Sequence, residues 1–497
     1  MIGSISGGAI SKLRRANMQE YFSAEEIPAY HDKLLVVKMN QSAQSRIASF
    51  AISGTGEVTG ASPGLSALAM YERGGMIKRV TPVSPRTSKR STRGPRRAMA
   101  SFAASFTEET GATPDFSYGV NVIEMERDSH VSELQSVLAA DPNVEFVSRV
   151  PIRYLQAARK KSASGRMTIQ RNAPSLSQMW NLQKIKWQEA RSLKGFKDAD
   201  LIKVAILDTG IDKDHPDLKG LVSSYVSAHP DQNRPSGDKD IIGHGTHVAG
   251  TIAAKINNDI GINGICKCDL KIWKIFDDVA DFYSWSYGFA YFVEPIMYYR
   301  ALSDCIEQKV DVINLSIGGG GAPDHFERTL FETLISQGTT VVAAMGNERE
   351  SGSPTSYPAA IPNVIAVGAT KIDDKVASFS NRGNHISLCA PGAGIWSTLP
   401  TTPGQSGFKA DKGPDGKPRE GKPNKRETDY DAWDGTSMAT PHVTAASALL
   451  LANRGKLSPA EVRTKLMSSA FRVKSMKGKS FHPDYGAGRL DLLKLLS

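Results

Sequence analysis

The chain has 497 residues, 40% of them hydrophobic and 23% charged, with four cysteines. At roughly 150 residues per domain this suggests about three domains, or one large α/β domain with a smaller one, and a core that needs no disulfide scaffold. The net charge of +10 excludes little, because thirteen Lys/Arg in two acid-free stretches, 78–97 and 157–171, exceed the surplus and leave the remainder at −3.

Both basic stretches are rich in Ser, Pro or Gly and lack apolar periodicity, so they are expected as exposed segments rather than a nucleic-acid surface. No run approaches ~18 apolar residues, so no membrane span is expected. The first twenty residues carry no apolar block after a basic start, which makes the cytoplasm the expected compartment.

Residues 1–30 are expected as a tail. Residues 31–156 follow with two strand–helix–strand patterns: strands at 33–39, 76–80, 118–125 and 144–150, and helices at 65–73 and 129–140. In the second helix Val131, Leu134, Val137 and Leu138 recur on one face. The β-α-β-β-α-β order predicts a small α+β sandwich of ferredoxin-like type. Residues 157–174 form a basic linker.

From residue 175 the pattern becomes strands alternating with helices. Near-continuous apolar runs at 202–208, 310–316, 340–345 and 364–369 read as strands buried on both faces, hence a doubly wound parallel sheet. Helices are expected at 247–256, 297–308, 326–337 and 442–453. In such sheets reactive groups gather at the carboxyl ends of strands. Asp208 and Ser316 end two of these runs, and Asn347 follows a third.

Three segments carry chemistry: Asp208-Thr-Gly, His244-Gly-Thr-His247 and Gly435-Thr-Ser437-Met-Ala-Thr-Pro-His442. A serine hydroxyl needs an adjacent base to act as nucleophile, and that base needs an anionic group to orient it. One chain offers all three, with Asn347 as a side-chain amide able to donate to an oxyanion. The spacing of His244 and His247, with Cys266-x-Cys268, hints at zinc, but no HExxH is present. His247 is expected to pack beneath the site.

The stretches LDTGIDKDHPDLK, GHGTHVAGTIA, VINLSIGG, AAMGNE and WDGTSMATPHVTAA, in this order, resemble the subtilisin family of serine endopeptidases. The resemblance covers roughly residues 175–497. It implies a subtilisin-like α/β fold, Asp208 as orienting acid, His244 as general base, Ser437 as nucleophile and Asn347 as oxyanion donor. It further implies that Ser316, Ile317 and Gly318 form the edge that a polypeptide substrate joins. Ala344, Gly346 and Glu348 would stand at the mouth of the pocket for the residue before the scissile bond, where Glu348 would favour a basic side chain.

A structural Ca²⁺ is implied at the loop 257–264. Asp217, Asn258 and the carbonyls of Ile256, Ile260 and Ile262 would be its ligands, with Gln178 a further candidate. The N-terminal unit would be a propeptide, an intramolecular inhibitor whose tail near 154–157 occupies the cleft and is processed within 156–171. A zymogen that hydrolyses peptides through an acyl-enzyme follows. The alternatives are a transpeptidase or macrocyclase on the same fold, and a silent binding protein. Two segments depart from the family pattern: an aromatic stretch at 277–299, and a polar insert at 401–431 that reads as a mobile surface loop.

Overall fold

Strands that are apolar on both sides of the pleat need cover on both faces, and β7 (Ala199–Asp208) shows how they obtain it. Its Val204 and Ile206 belong to one buried cluster, while the alternating Ala205 and Leu207 belong to another on the opposite face. The helices His244–Ala253 and Thr436–Arg454 cover the first face; Pro295–Gln308 and His325–Ser336 cover the second. The computed structural model describes residues 28–40, 63–83, 119–155, 158–159, 178–229, 237–283 and 288–497. Residues 1–27 of the expected tail 1–30, most of the first basic stretch (84–97) and nearly all of the linker lie outside the described residues, and Tyr30 already belongs to a strand.

The central sheet has seven strands. Besides β7 these are β8 (Val222–Val226), β9 (Cys268–Lys274), β12 (Val312–Leu315), β14 (Thr340–Ala344), β15 (Ile365–Thr370) and β16 (Ile386–Pro391). Their order is β16-β15-β14-β12-β7-β9-β8, and every neighbouring pair is parallel. The four expected strands occupy its centre. The other three are shorter on apolar signal: Cys268–Lys274 interleaves Asp269, Lys271 and Lys274 with apolar residues, which hides a strand whose Leu270 and Ile272 face one core and Trp273 the other. All four cysteines are unpaired thiols.

The N-terminal unit also takes its expected order. Strands β1 (Tyr30–Met39), β2 (Ile77–Pro82), β3 (Val120–Met125) and β4 (Val144–Pro151) form an antiparallel sheet in the order β2-β3-β1-β4. Its helices are Pro63–Arg73 and Val131–Ala139, and Leu35, Val37, Leu68, Leu134 and Leu138 pack between sheet and helices. The other sheet face presents Val36, Val120, Val122 and Val150, which merge with the second cluster of the large domain. The period-2 alternation of β1 therefore serves two different cores. Phe146 lies over Phe326 with ring centroids 6.4 Å apart, and Arg300 donates to the carbonyls of Pro82 and Val83.

Two helices begin earlier than apolar periodicity indicated, at His244 rather than 247 and at Thr436 rather than 442. Their first turns are built of small or polar residues that give no hydrophobic signal. Pro441 lies inside the second of these helices. It removes the N–H that would bond the Ser437 carbonyl, but the Ser316 hydroxyl donates to that carbonyl instead, at 3.0 Å. The helix continues unbroken.

The expected loop at 401–431 is instead built largely of paired strands. β18 (Gln405–Lys412) and β19 (Pro418–Lys425) form a hairpin, which pairs with β11 (Gly288–Ala290) and through it β10 (Asp281–Tyr283). The two segments that depart from the family pattern thus build one sheet together. Arg426 anchors its base: the buried guanidinium donates to the carbonyls of Asp240, Ile241, Pro400 and Glu427. Pro418 and Pro423, with Lys422 and Lys425, blunt the outer strand against further pairing.

Candidate active site

Asp208 is the last residue of β7, and His244 is the first of its helix. Their side chains meet at 2.7 Å, Nδ1 to Oδ1, with both residues fully buried. This contact requires the helix start to lie against the strand end. Gly245 permits it, since a Cβ there would fall 2.1 Å from the Gly210 carbonyl oxygen.

Asp240 holds the junction. Its carboxylate accepts from the Gly243 and Thr246 N–H groups and from the hydroxyls of Thr209 and Thr246, at 2.7–2.9 Å. One buried acid thereby caps the helix and ties it to the residue after Asp208. The sequence reading missed Asp240; an acid just ahead of a Gly-His-Gly-Thr helix start was the available signal.

With Asp208 beside Nδ1, the Nε2 atom of His244 is the one left for a substrate-side proton. It is buried and has no hydrogen-bond partner among the described residues. Ser437 lies in the first turn of Thr436–Arg454, where N–H groups lack intrahelical acceptors. Its hydroxyl donates to the Ser316 carbonyl at 2.8 Å, so serine and histidine are not hydrogen-bonded to each other. A serine side chain occupies one of three staggered χ1 wells, and a change of well is the move that would redirect this hydroxyl.

Asn347 is brought to the same place. Its Oδ1 accepts from the N–H and the hydroxyl of Thr436, both at 2.9 Å, which leaves donation to Nδ2. Behind these groups runs a buried chain in which Thr444 donates to Asn314, and Asn314 to the Ser316 hydroxyl. Trp433 closes the floor. Its ring stacks on His247 at 5.2 Å and lies 6.1 Å from His244. His247 is a helix residue as expected, its Nε2 3.0 Å from the Ile395 carbonyl.

The edge β13 (Ile317–Gly318) is already paired. The chain's own β5 (Tyr154–Leu155) runs antiparallel to it, with Leu155 opposite Ile317 and Tyr154 opposite Gly318. Close approach is needed one residue further on, where a Cβ on Gly319 would fall 2.1 Å from the Ile152 carbonyl oxygen. Beyond residues 156 and 157, which lie outside the described residues, β6 (Ala158–Arg159) pairs with β20 (Tyr430–Asp434), the strand that leads into Ser437.

Ala344 ends β14, and the Gly346 N–H donates to the Thr436 hydroxyl. Glu348 does not stand as a spare charge. Its Oε2 accepts from Asn347 N–H and Asn381, and its Oε1 accepts from the Tyr154 hydroxyl at 3.0 Å.

At the loop beside Asp217, the fully buried carboxylate accepts from Asn258 Nδ2 at 2.7 Å, the Ile262 N–H at 3.0 Å and the Tyr430 hydroxyl at 2.9 Å. Asn258 Oδ1 is buried and has no hydrogen-bond partner among the described residues. Oxygen donors from one carboxylate, one amide and backbone carbonyls are the chemistry of a hard cation. Gln178 adjoins Met179, whose sulphur accepts from Asn263 N–H at 3.5 Å.

Residues 199–488 match the model of the subtilase family. Subtilisin amylosacchariticus of Bacillus subtilis subsp. amylosacchariticus is 36% identical over 295 residues, covering 59% of this chain and 64% of that protein. The major intracellular serine protease of Bacillus subtilis (strain 168) is 35% identical over 303 residues, covering 58% and 82%. Among solved structures, fervidolysin from Fervidobacterium pennivorans, described as a keratinolytic enzyme related to subtilisin, aligns with a TM-score of 0.59 at 22% identity. That alignment takes in 94% of this chain and 61% of the other.

Burial makes the histidines beneath the site acid-sensitive. Desolvation lowers His247 from 6.5 to about 3, helped by neighbouring His244, and lowers His442 to about 4. Both are neutral in the fold and must charge when it opens. Their stabilisation is complete above 6.5 and drains away as pH falls toward 4. Asp324 works the other way, raised by burial and by Glu327 to about 6, but it is a single group. Thermal unfolding followed from pH 8 to pH 4 should show a falling midpoint below about 6.5; a flat profile would contradict this.

Proposed function

Because the chain belongs to the subtilase family, we propose that it is a serine endopeptidase made as a zymogen, whose N-terminal unit inhibits the active site and is cut by it. The observation that carries the reading is the course of the chain through the cleft. β5 joins β13 as an extended substrate would, and β6 joins the strand leading to Ser437.

Ser437 Oγ would attack a carbonyl carbon bound along β13 and pass its proton to His244 Nε2. Asp208, accepting from Nδ1, would fix the tautomer and stabilise the imidazolium. The oxyanion would be held by Asn347 Nδ2 and the Ser437 N–H, two donors fixed before the charge forms. Collapse expels the amine, which takes the proton from His244, and water repeats the sequence on the acyl-enzyme. The fitted neighbourhood of Ser437, from Ser316 to Thr444, keeps these donors in place without reorganisation.

We also propose a structural Ca²⁺ held by Asp217, Asn258 and the carbonyls of Ile256, Ile260 and Ile262. The unsatisfied Asn258 oxygen beside a buried carboxylate supports it. Chelator should lower the unfolding midpoint of the full chain, and added Ca²⁺ should restore it. No change on chelation would remove the ion from the account.

The self-cutting is tested by intact mass. Wild type should split between Leu155 and Arg171 into pieces of about 17 and about 37 kDa, the shares of 53.7 kDa on either side of residue 157. Ser437→Ala should remain whole. An alanine variant that splits at the same place, or a wild type that never splits, would overturn the zymogen reading.

A further inference from the structure

Arg153 stands between β4 and β5, two residues ahead of Leu155, and is fully buried in the large domain. Its guanidinium makes a two-pronged contact with Glu327, Nε to Oε1 at 3.2 Å and an Nη to Oε2 at 2.7 Å. The other Nη donates to the carbonyls of Gly321 at 2.8 Å and Ile152 at 3.3 Å. Glu327 is wholly buried in the first turn of its helix and also accepts from the Tyr298 hydroxyl at 3.1 Å. Next to it, Tyr299 donates to Asp324, the N-cap of that helix.

Apart from the Ile152 carbonyl, the acceptors that Arg153 meets belong to the large domain, whereas the guest is part of the threading chain. The Arg153 main chain continues the substrate-like strand, its carbonyl accepting from Val293 N–H at 3.1 Å. A cationic occupant stabilises Glu327 best, because a buried carboxylate without a counter-charge costs several kcal/mol. Arginine suits the pocket better than lysine, since the carboxylate and the Gly321 carbonyl present acceptors for a planar fork.

We infer that the Glu327 pocket is a specificity subsite, selecting polypeptide substrates with arginine at the position that Arg153 occupies, two residues before the one opposite Ile317. This rests on the peptidase reading and adds to it a preference set away from the scissile bond. An apolar side chain there would leave the buried Glu327 charge with the Tyr298 hydroxyl but no counter-charge, so the site discriminates by penalty as well as by attraction.

The test uses the full-chain protein and internally quenched peptides of the sequence VPIRYLQAAR, residues 150–159, with the first arginine kept or changed to Lys, Leu or Glu. Wild type should show kcat/KM at least about tenfold higher for Arg than for Leu, with Lys between and Glu lowest. Mass spectrometry should place the cut beyond the leucine that corresponds to Leu155. In Glu327→Gln the ratio of Arg to Leu should fall to near one while the Leu peptide is still cut. Equal rates for Arg and Leu in wild type, a ratio unchanged in Glu327→Gln, or cutting directly after the arginine would each overturn the inference. The wild-type series decides alone if the variant does not fold. Absence of any turnover, together with failure of Ser437 to react with a fluorophosphonate, would overturn the peptidase reading and this subsite with it.

Discussion

The contact on which the site depends is the hydrogen bond between the Asp208 carboxylate and the His244 ring. An ionised carboxylate and an imidazole at 2.7 Å, both out of water, form a pair whose partners cannot be separated without leaving a buried charge. That requirement explains the surrounding sequence. Gly245 lets the helix reach the strand end, Thr209 and Thr246 offer hydroxyls to Asp240, and Asp240 takes up the helix's first N–H groups. The parallel sheet matters because it delivers Asp208 to the carboxyl end of its strands, the end where the helix carrying Ser437 begins.

The second organising constraint is the strand that enters from the N-terminal unit. Its affinity for the large domain comes from three kinds of contact at once. The β1–β4 sheet lends Val36, Val120, Val122 and Val150 to a shared core, which is apolar burial without direction. β5 and β6 add main-chain pairing, which fixes register. Arg153 adds a charged anchor in a dry pocket, which fixes identity. The first two would accept many sequences; the third would not.

Much of this was legible in the sequence, for a physical reason. Asp208, His244, Asn347 and Ser437 lie within short runs whose neighbours are constrained by close backbone approach, so the motifs carry their context with them. The four central strands and the βαββαβ unit also show, because buried strands and amphipathic helices impose a composition period. What stayed hidden was whatever depends on distant pairing. The 401–431 insert is polar and Gly/Pro-rich, and nothing in it announces that β18 will add to β11 more than a hundred residues earlier. Arg153 and Glu327 are unremarkable singly and meet only in the fold. Pro441 does not break its helix because its missing donor is replaced by Ser316, a residue over a hundred positions away, and no local pattern shows that.

The central claim is that Asp208, by holding His244, gives the Ser437 hydroxyl its reactivity. The rate at which the full chain cuts itself in a single turnover measures this without interference from competing substrate. Replacing Asp208 by Asn keeps the size of the side chain and removes the charge. The account predicts that cutting slows by at least about a thousandfold, with the fold intact by circular dichroism. A variant that cuts itself within a few-fold of the wild-type rate would contradict it.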